Sequence, residues 1–344
     1  MSPSFYPRLI NGPFEDPGLY IPFAYERRAI ICDIGDISSL SSRDILKISH
    51  AFVTHTHMDH FAGFDLLLRL FLGRQKNFYI YGPADFLKNI QGKLSGYTWN
   101  LVQNYDTEFT IHATEVHSRC LLTQEYQAKN RFFPTHPPVQ HNFNGLLLME
   151  PGFSVFAQVL DHSTPCLGFS LNERFHINII KEKVYELGLG PGPWIKEFKQ
   201  AVFDGKNPEF LFEIKYGKAK IINKTFTIHE LSNKIARITP GQKITYIADV
   251  GDTKNNREKI IELARDTDHL FIEAAFLDQD RETAMKKFHL TAKQAGTIAG
   301  MAKAKRFTLF HFSPRYMEQS SVFQNQALTA FSEQGSGDGK TFKL

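Results

Sequence analysis

The sequence is poor in cysteine, in long apolar stretches and in net charge. It has three cysteines, Cys32, Cys120 and Cys166, an odd number at wide spacing. This argues against a disulfide framework and a CxxC zinc site, and it is typical of a reducing compartment. The apolar runs are too short for a membrane span, and the N-terminus lacks the charged-then-apolar pattern of a signal peptide. We therefore predict a cytoplasmic protein without a membrane segment.

The composition bounds the size and class of the protein. The 344 residues carry a formal charge of +4, and 42% of them are hydrophobic. This charge permits an anionic substrate without requiring one, and the composition is that of a globular enzyme with a large core. The length suits one large α/β domain or two domains. We predict a single domain over 1–344, with an N-terminal extension at 1–28 and a loose tail at 332–344.

Short β-branched runs, which predict strands, alternate with longer amphipathic segments, which predict helices. This alternation is typical of an α/β sandwich. Helices are predicted over 61–75, 255–266 and 291–304, the last capped by Thr291. The polar, proline-bearing segment 119–144 is interpreted either as a long loop near a site or as an irregular sheet edge. The predicted strands are 29–35, 50–55, 77–82, 109–116, 154–162, 167–172, 243–249, 269–274 and 306–312.

One short stretch, "HTHMDH", puts four metal-capable side chains into six residues after an apolar run. Alternate residues at a strand end point the same way, so His55 and His57 can face one ion together. Asp59 and His60 follow in the turn towards the next helix, from which they can reach a second ion. Imidazoles and a carboxylate are the ligand set of zinc, and less often of manganese or iron. The stretch therefore predicts a metal site.

The stretch "HTHMDH" resembles the His-x-His-x-Asp-His signature of the metallo-β-lactamase superfamily. Further along, "DHSTPCLGF", "KITYIAD" and "HFSPRY" resemble the third-histidine, bridging-aspartate and final motifs of the ribonuclease Z branch. "DHLFIEAAFLD" and "FHLTAKQAG" resemble its His-Glu-Ala-Thr and Gly-His-Ser-Thr segments. The resemblance runs from about Ala29 to Tyr316. It implies a single hydrolase domain of the metallo-β-lactamase fold, an α/β sandwich of αββα type with two mixed sheets flanked by helices.

The resemblance also implies a binuclear centre with two Zn²⁺, for which Mn²⁺ or Fe²⁺ are alternatives. The implied ligands are His55, His57 and His162 for one ion, Asp59, His60 and His311 for the other, and Asp249 bridging both. From the residues alone, Asp252 is an alternative to Asp249, because "ADVGDT" offers both aspartates. Asp249 follows the apolar strand directly, whereas Asp252 could cap the helix that begins near Asn255.

The implied chemistry is hydrolysis of a phosphodiester by a metal-activated water. Asp59 is expected to orient or deprotonate that water. His289 is expected to protonate the departing oxygen with its imidazole held by Glu273, unless it is a surface histidine at a helix start. Asp33 would support the metal ligands or be a plain turn aspartate. Arg315 would pair with a substrate phosphate or form a structural salt bridge.

By this resemblance the substrate is RNA, precursor tRNA in particular, and a homodimer is expected by analogy. Two features depart from the family pattern. Ile272 stands where the first histidine of the His-Glu-Ala-Thr segment belongs, and no basic glycine-proline arm lies between His60 and His162. They motivate an alternative hypothesis, a metallo-hydrolase of a small phosphodiester or lactone. A third hypothesis is a non-catalytic, metal-stabilised protein that binds nucleic acid.

Overall fold

The computed structural model describes residues 5–24, 26–216 and 222–335. These residues form two compact units. The smaller unit comprises Leu148–Ser154 and Asn172–Gln242, and the larger comprises Phe5–Leu147, Val155–Leu171 and the chain from Lys243 onward. The single-domain organisation stays a prediction. Residues 332–335 of the predicted tail are helical, whereas 336–344, like 1–4 of the predicted extension, lie outside the described residues.

The elements alternate along the chain as an α/β pattern requires. The strands of the described chain are β1 Arg8–Leu9, β2 Leu19–Pro22, β3 Ala29–Cys32, β4 Ile48–Phe52, β5 Lys76–Gly82, β6 Phe109–Val116, β7 Cys120–Gln127, β8 Val139–Asn142, β9 Leu146–Met149, β10 Phe153–Asp161, β11 Pro165–Glu173, β12 Phe175–Ile179, β13 Leu211–Tyr216, β14 Ile222–Thr227, β15 Ala236–Pro240, β16 Lys243–Ile247, β17 His269–Glu273 and β18 Phe307–Phe310. The helices are α1 Ser42–Lys47, α2 Met58–Phe61, α3 Phe64–Phe71, α4 Phe86–Ser95, α5 Lys181–Glu186, α6 Trp194–Phe203, α7 Ile228–Ile235, α8 Lys254–Ala264, α9 Arg281–Lys286, α10 Ala292–Met301 and α11 Ser320–Gly335.

The first sheet contains strands β1 to β8 in chain order. Its central strands β3 to β6 are parallel to one another. The strand pairs β1–β2, β2–β3, β6–β7 and β7–β8 are antiparallel. Part of the segment predicted as an N-terminal extension thus supplies β1 and β2. The segment 119–144 supplies β7 and β8, and β8 is exposed at one end of the sheet. The sheet-edge interpretation of that segment is therefore confirmed.

The second sheet has the order β18-β17-β16-β11-β10-β9, with β16, β17 and β18 parallel. All nine predicted strands are confirmed, with ends that shift by a few residues. Successive side chains of β4 and its neighbouring strands point to opposite faces of the first sheet. Ala51 packs with helices α3 and α4, whereas the Phe52 ring lies 5.4 Å from that of Phe169 in the second sheet. The two sheets thus face each other, as predicted.

Helices cover the outer face of the second sheet. Ile260 of α8, Ile298 of α10 and Phe323 of α11 join one apolar cluster with strand β17. Helix α10 begins at Thr291, as predicted, and Thr291 forms a capping box with Gln294. The suggestion that Asp252 caps α8 is wrong, because the side chain of Thr253 accepts the capping hydrogen bond from the Asn256 N–H.

The predicted helix over 61–75 is broken into α2 and α3 at Gly63. A Cβ added to Gly63 would lie 2.4 Å from the Gly35 carbonyl oxygen, so the two backbones meet there more closely than a side chain allows. The second helix stops at Leu72, before Gly73 with φ of +72°. This break sets the direction in which the chain leaves the "HTHMDH" stretch.

Two helical glycines provide a matched test of the packing. A Cβ on Gly296 of α10 would lie 2.1 Å from the Ala327 carbonyl oxygen of α11, whereas one on Gly92 of α4 would meet no atom within 4 Å. We expect Gly296→Ala to lower the free energy of unfolding by about 1–3 kcal/mol. Gly92→Ala should raise it by about 0.5–1 kcal/mol, since alanine favours helix. Urea denaturation of both variants tests this, and equal shifts would contradict the close packing of α10 on α11.

The smaller unit has its own apolar cluster, which includes Trp194, Phe198 and Leu231. Strand β12 pairs with β15 and β13 with β14, both antiparallel. Helix α7 begins at a capping box of Thr227 and Glu230. None of the helices in the described part of the chain combines the length and the apolar character that a membrane span needs.

Candidate metal centre

The "HTHMDH" stretch spans the loop after β4 and the first residues of α2. His55 and His57 lie in the loop, whereas Asp59 and His60 lie in the helix itself and not, as predicted, in the turn before it. Strand β4 ends at Phe52, so His55 and His57 follow the strand instead of ending it, and the predicted strand over 50–55 is too long. His57 is the N-cap of α2. The two imidazole rings nevertheless lie together, with centroids 4.3 Å apart.

The other predicted ligands arrive at the same place from distant parts of the chain. His162 lies in the turn between β10 and β11, Asp249 follows β16, and His311 follows β18. Strands β16 and β18 are both parallel to β17, so their carboxyl ends lie at one edge of the sheet, which explains why Asp249 and His311 meet. All three positions were predicted at strand ends.

Asp249 is the centre of the cluster and is only 2% exposed. Its Oδ2 lies 3.7 Å from His55 Nε2, 3.4 Å from His60 Nε2 and 3.5 Å from His162 Nε2. Its Oδ1 lies 2.7 Å from His311 Nδ1. One carboxylate thus reaches histidines of both predicted ligand sets.

The donor atoms of the predicted ligands form two adjoining groups. The first contains His55, His57, His162 and Asp249, and the second contains Asp59, His60 and His311, with the atoms of each group within 4.8 Å of one another. A third group, with the same spacing, joins Asp249 and His311 to His289. Asp59 Oδ2 lies 3.2 Å from His311 Nε2 and 3.6 Å from His60 Nε2. The first two groups contain the seven side chains that the sequence predicted.

Asp252 points to a different set of partners. Its carboxylate pairs with Arg257, with distances of 3.1 Å to Nε and 3.0 Å to Nη2. It also accepts a hydrogen bond from the Gln294 amide. Of the two alternatives in "ADVGDT", the structure therefore brings Asp249 to the cluster and gives Asp252 a structural ion pair.

The cluster fits a divalent cation. His55 Nε2 and His60 Nε2 are buried and make no hydrogen bond among the described residues. His311 Nδ1 and Asp249 Oδ1 are buried as well and face each other at 2.7 Å without the alignment of a hydrogen bond. Buried polar atoms without a partner are costly, and several converging on one point need an explanation. Imidazole nitrogen and carboxylate oxygen are the donors that zinc, manganese and iron accept. A bound cation would satisfy all four atoms, so the cluster is a divalent-metal site.

Burial and charge set the protonation of these groups. Burial lowers the pKa of His55 to about 2, so its imidazole is neutral, the form that binds metal. Burial also disfavours the charged form of His60, but Asp249 and Asp33 outweigh it and raise its pKa to about 10, so a cation that binds His60 would displace a proton from the imidazole. Burial opposes ionisation of Asp249, yet His311 and His60 hold its pKa well below the usual value. The central carboxylate is therefore anionic, as a shared metal ligand requires.

Asp33 lies directly behind the metal ligands and is fully buried. Its carboxylate accepts hydrogen bonds from His60 Nδ1 at 2.9 Å, the Thr54 N–H at 2.7 Å and the Tyr246 hydroxyl at 3.0 Å. With Nδ1 engaged, His60 presents Nε2 to Asp249. This is the geometry expected of a residue that orients a ligand, and it does not fit a plain turn aspartate.

His162 is oriented in the same way by a partner that the sequence analysis did not find. Its Nδ1 lies 2.7 Å from the carbonyl oxygen of Phe288. Phe288 has a φ of +56°, an unusual value for a bulky residue. No sequence signal marks a backbone carbonyl, because the bond does not depend on the side chain.

Buried Glu273 pairs with partly buried His289 beside the cluster. Glu273 Oε1 accepts from His289 Nδ1 at 3.1 Å and from the Val250 N–H at 2.9 Å, and Oε2 accepts from the Ala275 N–H at 3.0 Å. The His289 ring lies 4.8 Å from that of His162. Burial favours the neutral form of His289, but Glu273 raises its pKa above the ordinary value. His289 is thus part of the site and not a surface histidine.

Arg315 lies at the edge of this region. It is exposed, and its guanidinium carbon lies 5.3 Å from the centre of the Phe276 ring. Phe276 lines the cavity over the cluster, so Arg315 stacks on the outside of one cavity wall. The structure therefore shows a cation–π contact at Arg315, in place of the salt bridge considered above.

A cavity of about 600 Å³ opens over the cluster, and its wall includes His57, Asp59, His162, Asp249, His289 and His311. Asp33, Asp249 and His311 have left-handed backbone conformations although none of them is glycine, with φ of 54°, 41° and 63°. Ser163 and Phe288, which line the cavity, share this conformation, each with φ of 56°. Such conformations cost about 1–3 kcal/mol each, so the surrounding fold holds these side chains in place against a local preference.

Comparison with known proteins agrees with this geometry. Residues 228–312 match the model of the beta-lactamase superfamily domain. The metallo-beta-lactamase fold protein YhfI of Bacillus subtilis has a TM-score of 0.54 at 16% identity, over 95% of this chain and 94% of that chain. The chain therefore has the metallo-β-lactamase fold, in agreement with the prediction.

Sequence relatives narrow the class. The ribonuclease Z of Deinococcus radiodurans is 26% identical over 315 residues, which cover 90% of each chain. The ribonuclease Z of Bacillus cereus is 31% identical over 274 residues, covering 78% of this chain and 72% of the relative. The chain belongs to the ribonuclease Z family.

Proposed function

We propose that this protein is a metal-dependent endoribonuclease that processes the 3′ end of precursor tRNA with two zinc ions at the centre described above. Membership of the ribonuclease Z family supports the reaction. The observation that carries the proposal is Asp249, a buried carboxylate shared by two groups of metal-ligating side chains under an open cavity. We retain a cytoplasmic location and a homodimer as predictions.

The roles of the residues follow from the contacts. His55, His57 and His162 would hold one ion, Asp59, His60 and His311 the other, and Asp249 both. Bound zinc would supply Lewis acidity and a water that ionises near neutral pH. The Asp59 side chain is 41% exposed to the cavity while its Oδ2 is fixed by His311. Its carboxylate can therefore orient a water and accept a proton from it.

His289 has the geometry of a proton donor. Its Nδ1 faces Glu273, which leaves Nε2 for the substrate. Glu273 raises the pKa of the imidazole and holds it in one orientation, so that Nε2–H can pass its proton to the departing oxygen. Glu273 also accepts from the Val250 N–H, next to Asp249, which ties the proton donor to the metal site.

The departure at Ile272 does not bear on this chemistry. Its side chain is fully buried in the apolar cluster beneath α8 and α10. A substitution there alters core packing and leaves the cavity wall unchanged. Of the two departures that motivated the small-substrate hypothesis, only the missing basic glycine-proline arm therefore still favours it. The cavity of about 600 Å³ is also of a size that small ligands occupy.

The test is cleavage of a precursor tRNA that carries a 3′ extension. We expect one cut at the end of the acceptor stem, abolished by a chelator and restored by zinc or manganese. Sequencing of the product 3′ ends measures the position of the cut, and mature tRNA serves as the uncut control. A fully metallated protein that hydrolyses a chromogenic phosphodiester or lactone but leaves precursor tRNA intact would establish the small-substrate alternative.

A further inference from the structure

We propose that Lys286 and Lys287 bind the phosphate backbone of the RNA on the side of the leaving oxygen, and so set the direction in which the RNA crosses the cavity. The inference rests on the proposed function. It concerns two residues outside the metal ligands and outside the His289–Glu273 pair.

Both lysines are exposed and line the cavity, with His289 only two residues beyond Lys287. Within the described chain, they are the cationic side chains on the cavity wall apart from histidine. Neither ammonium group has a carboxylate partner among the described residues. Two positive charges beside the proton donor are thus free to bind phosphate oxygens.

The segment that carries the lysines is fixed to the metal centre. Lys286 ends helix α9, and the Lys287 N–H donates to the Thr283 carbonyl at 3.0 Å. The next carbonyl, that of Phe288, accepts from His162 Nδ1. The lysine backbone therefore stands in a constant position relative to the cluster, which a site for positioning substrate requires.

The region of the cavity near Asp59 has the opposite charge. Glu15 and Asp16 also line the cavity. Asp16 and Asp59 both pack against Gly35, where an added Cβ would lie 2.8 Å from Asp16 Cβ and 1.8 Å from the Asp59 carbonyl oxygen. These carboxylates repel a phosphate backbone on the Asp59 side of the cavity.

The reaction geometry connects the two regions. In an in-line displacement, the attacking and leaving oxygens lie on opposite sides of phosphorus. The oxygen of the water that Asp59 orients forms the new bond to phosphorus. The bond from phosphorus to the 3′ oxygen of the nucleotide before the cut breaks, and His289 protonates that oxygen. The nucleotide that bears the leaving oxygen therefore extends past His289 along the two lysines, and away from Glu15 and Asp16.

The test compares two double variants. Lys286→Ala/Lys287→Ala removes the proposed contacts, and Lys88→Ala/Lys254→Ala removes two exposed lysines that are not among the described lining residues. For each, kcat/KM on precursor tRNA is measured over a range of salt concentrations. We expect the first variant to lose about tenfold in kcat/KM at low salt. The slope of log kcat/KM against log salt should become shallower by about 1.4, or about 0.7 for each lost phosphate contact. The control should keep the slope of the unmodified protein.

Shortened RNAs then test the direction. Removing nucleotides before the cut, on the side that bears the leaving oxygen, should abolish the difference in kcat/KM between the lysine variant and the unmodified protein. Removing the 3′ extension beyond its first nucleotide should preserve that difference. The reverse result would overturn the direction. Normal cleavage with an unchanged salt slope would overturn the lysine contacts and leave the proposed function standing. If the unmodified protein does not cleave precursor tRNA, the proposed function fails and this inference fails with it.

Discussion

Replacing Asp249 by alanine is expected to reduce kcat/KM on precursor tRNA by on the order of 10⁴-fold, the size seen when one member of a catalytic unit is lost. The reason is its position. Its two oxygens lie within 3.7 Å of four histidines from both ligand groups. Without the carboxylate, the imidazoles have no shared anion, so metal content should fall together with activity. Elemental analysis of the purified variant, alongside the cleavage assay, measures both.

Asp252→Ala is the matched control for this experiment. It removes a carboxylate from the same short loop, but one that pairs with Arg257 and Gln294 outside the cluster. We expect it to bind metal as the unmodified protein does, with a loss of stability from the broken ion pair. An Asp249 variant that keeps full metal content and normal cleavage would show that the cluster is not the active site.

Replacing His289 by alanine should have an effect that depends on the leaving group. On precursor tRNA, where the departing alkoxide needs a proton, we expect a loss of about 10²–10⁴-fold in kcat. On bis(p-nitrophenyl) phosphate, whose nitrophenolate leaves without a proton, the loss should be below about tenfold. Parallel assays at saturating metal measure the two ratios.

Glu273→Gln tests the orientation of His289 by a nearly isosteric change. The amide removes the negative charge that raises the pKa of His289 and fixes the orientation of its ring. We expect the same selective loss on RNA as for His289→Ala, but smaller. Equal losses on both substrates, in either variant, would mean that the pair supports the fold of the site without donating a proton.

The sequence predicted much of this centre because its signals are local. Each predicted metal ligand other than those in "HTHMDH" follows an apolar strand, and the parallel strands that precede Asp249 and His311 align their ends. That argument also favoured Asp249 over Asp252. The end of β4 at Phe52 was not predictable, because Val53 and Thr54 are β-branched residues that favour a strand. The strand ends there because the chain turns towards α2.

Other features depend on contacts that no local pattern encodes. The carbonyl of Phe288 reaches His162 from 126 positions away. Lys287 and Glu15 look like ordinary surface charges until the fold places both on one cavity. The compact unit that includes Asn172–Gln242 has the same alternation of strands and helices as its surroundings, so the sequence showed no boundary there.

The left-handed backbone at Asp33, Asp249 and His311 has a consequence for the evolution of this enzyme. Glycine adopts that conformation without penalty, so selection for heat resistance alone would favour glycine at each position. Every such gain would remove a side chain on which the proposed reaction depends. Improved variants should therefore accumulate their stabilising changes elsewhere, and these three sites mark where robustness and activity compete directly.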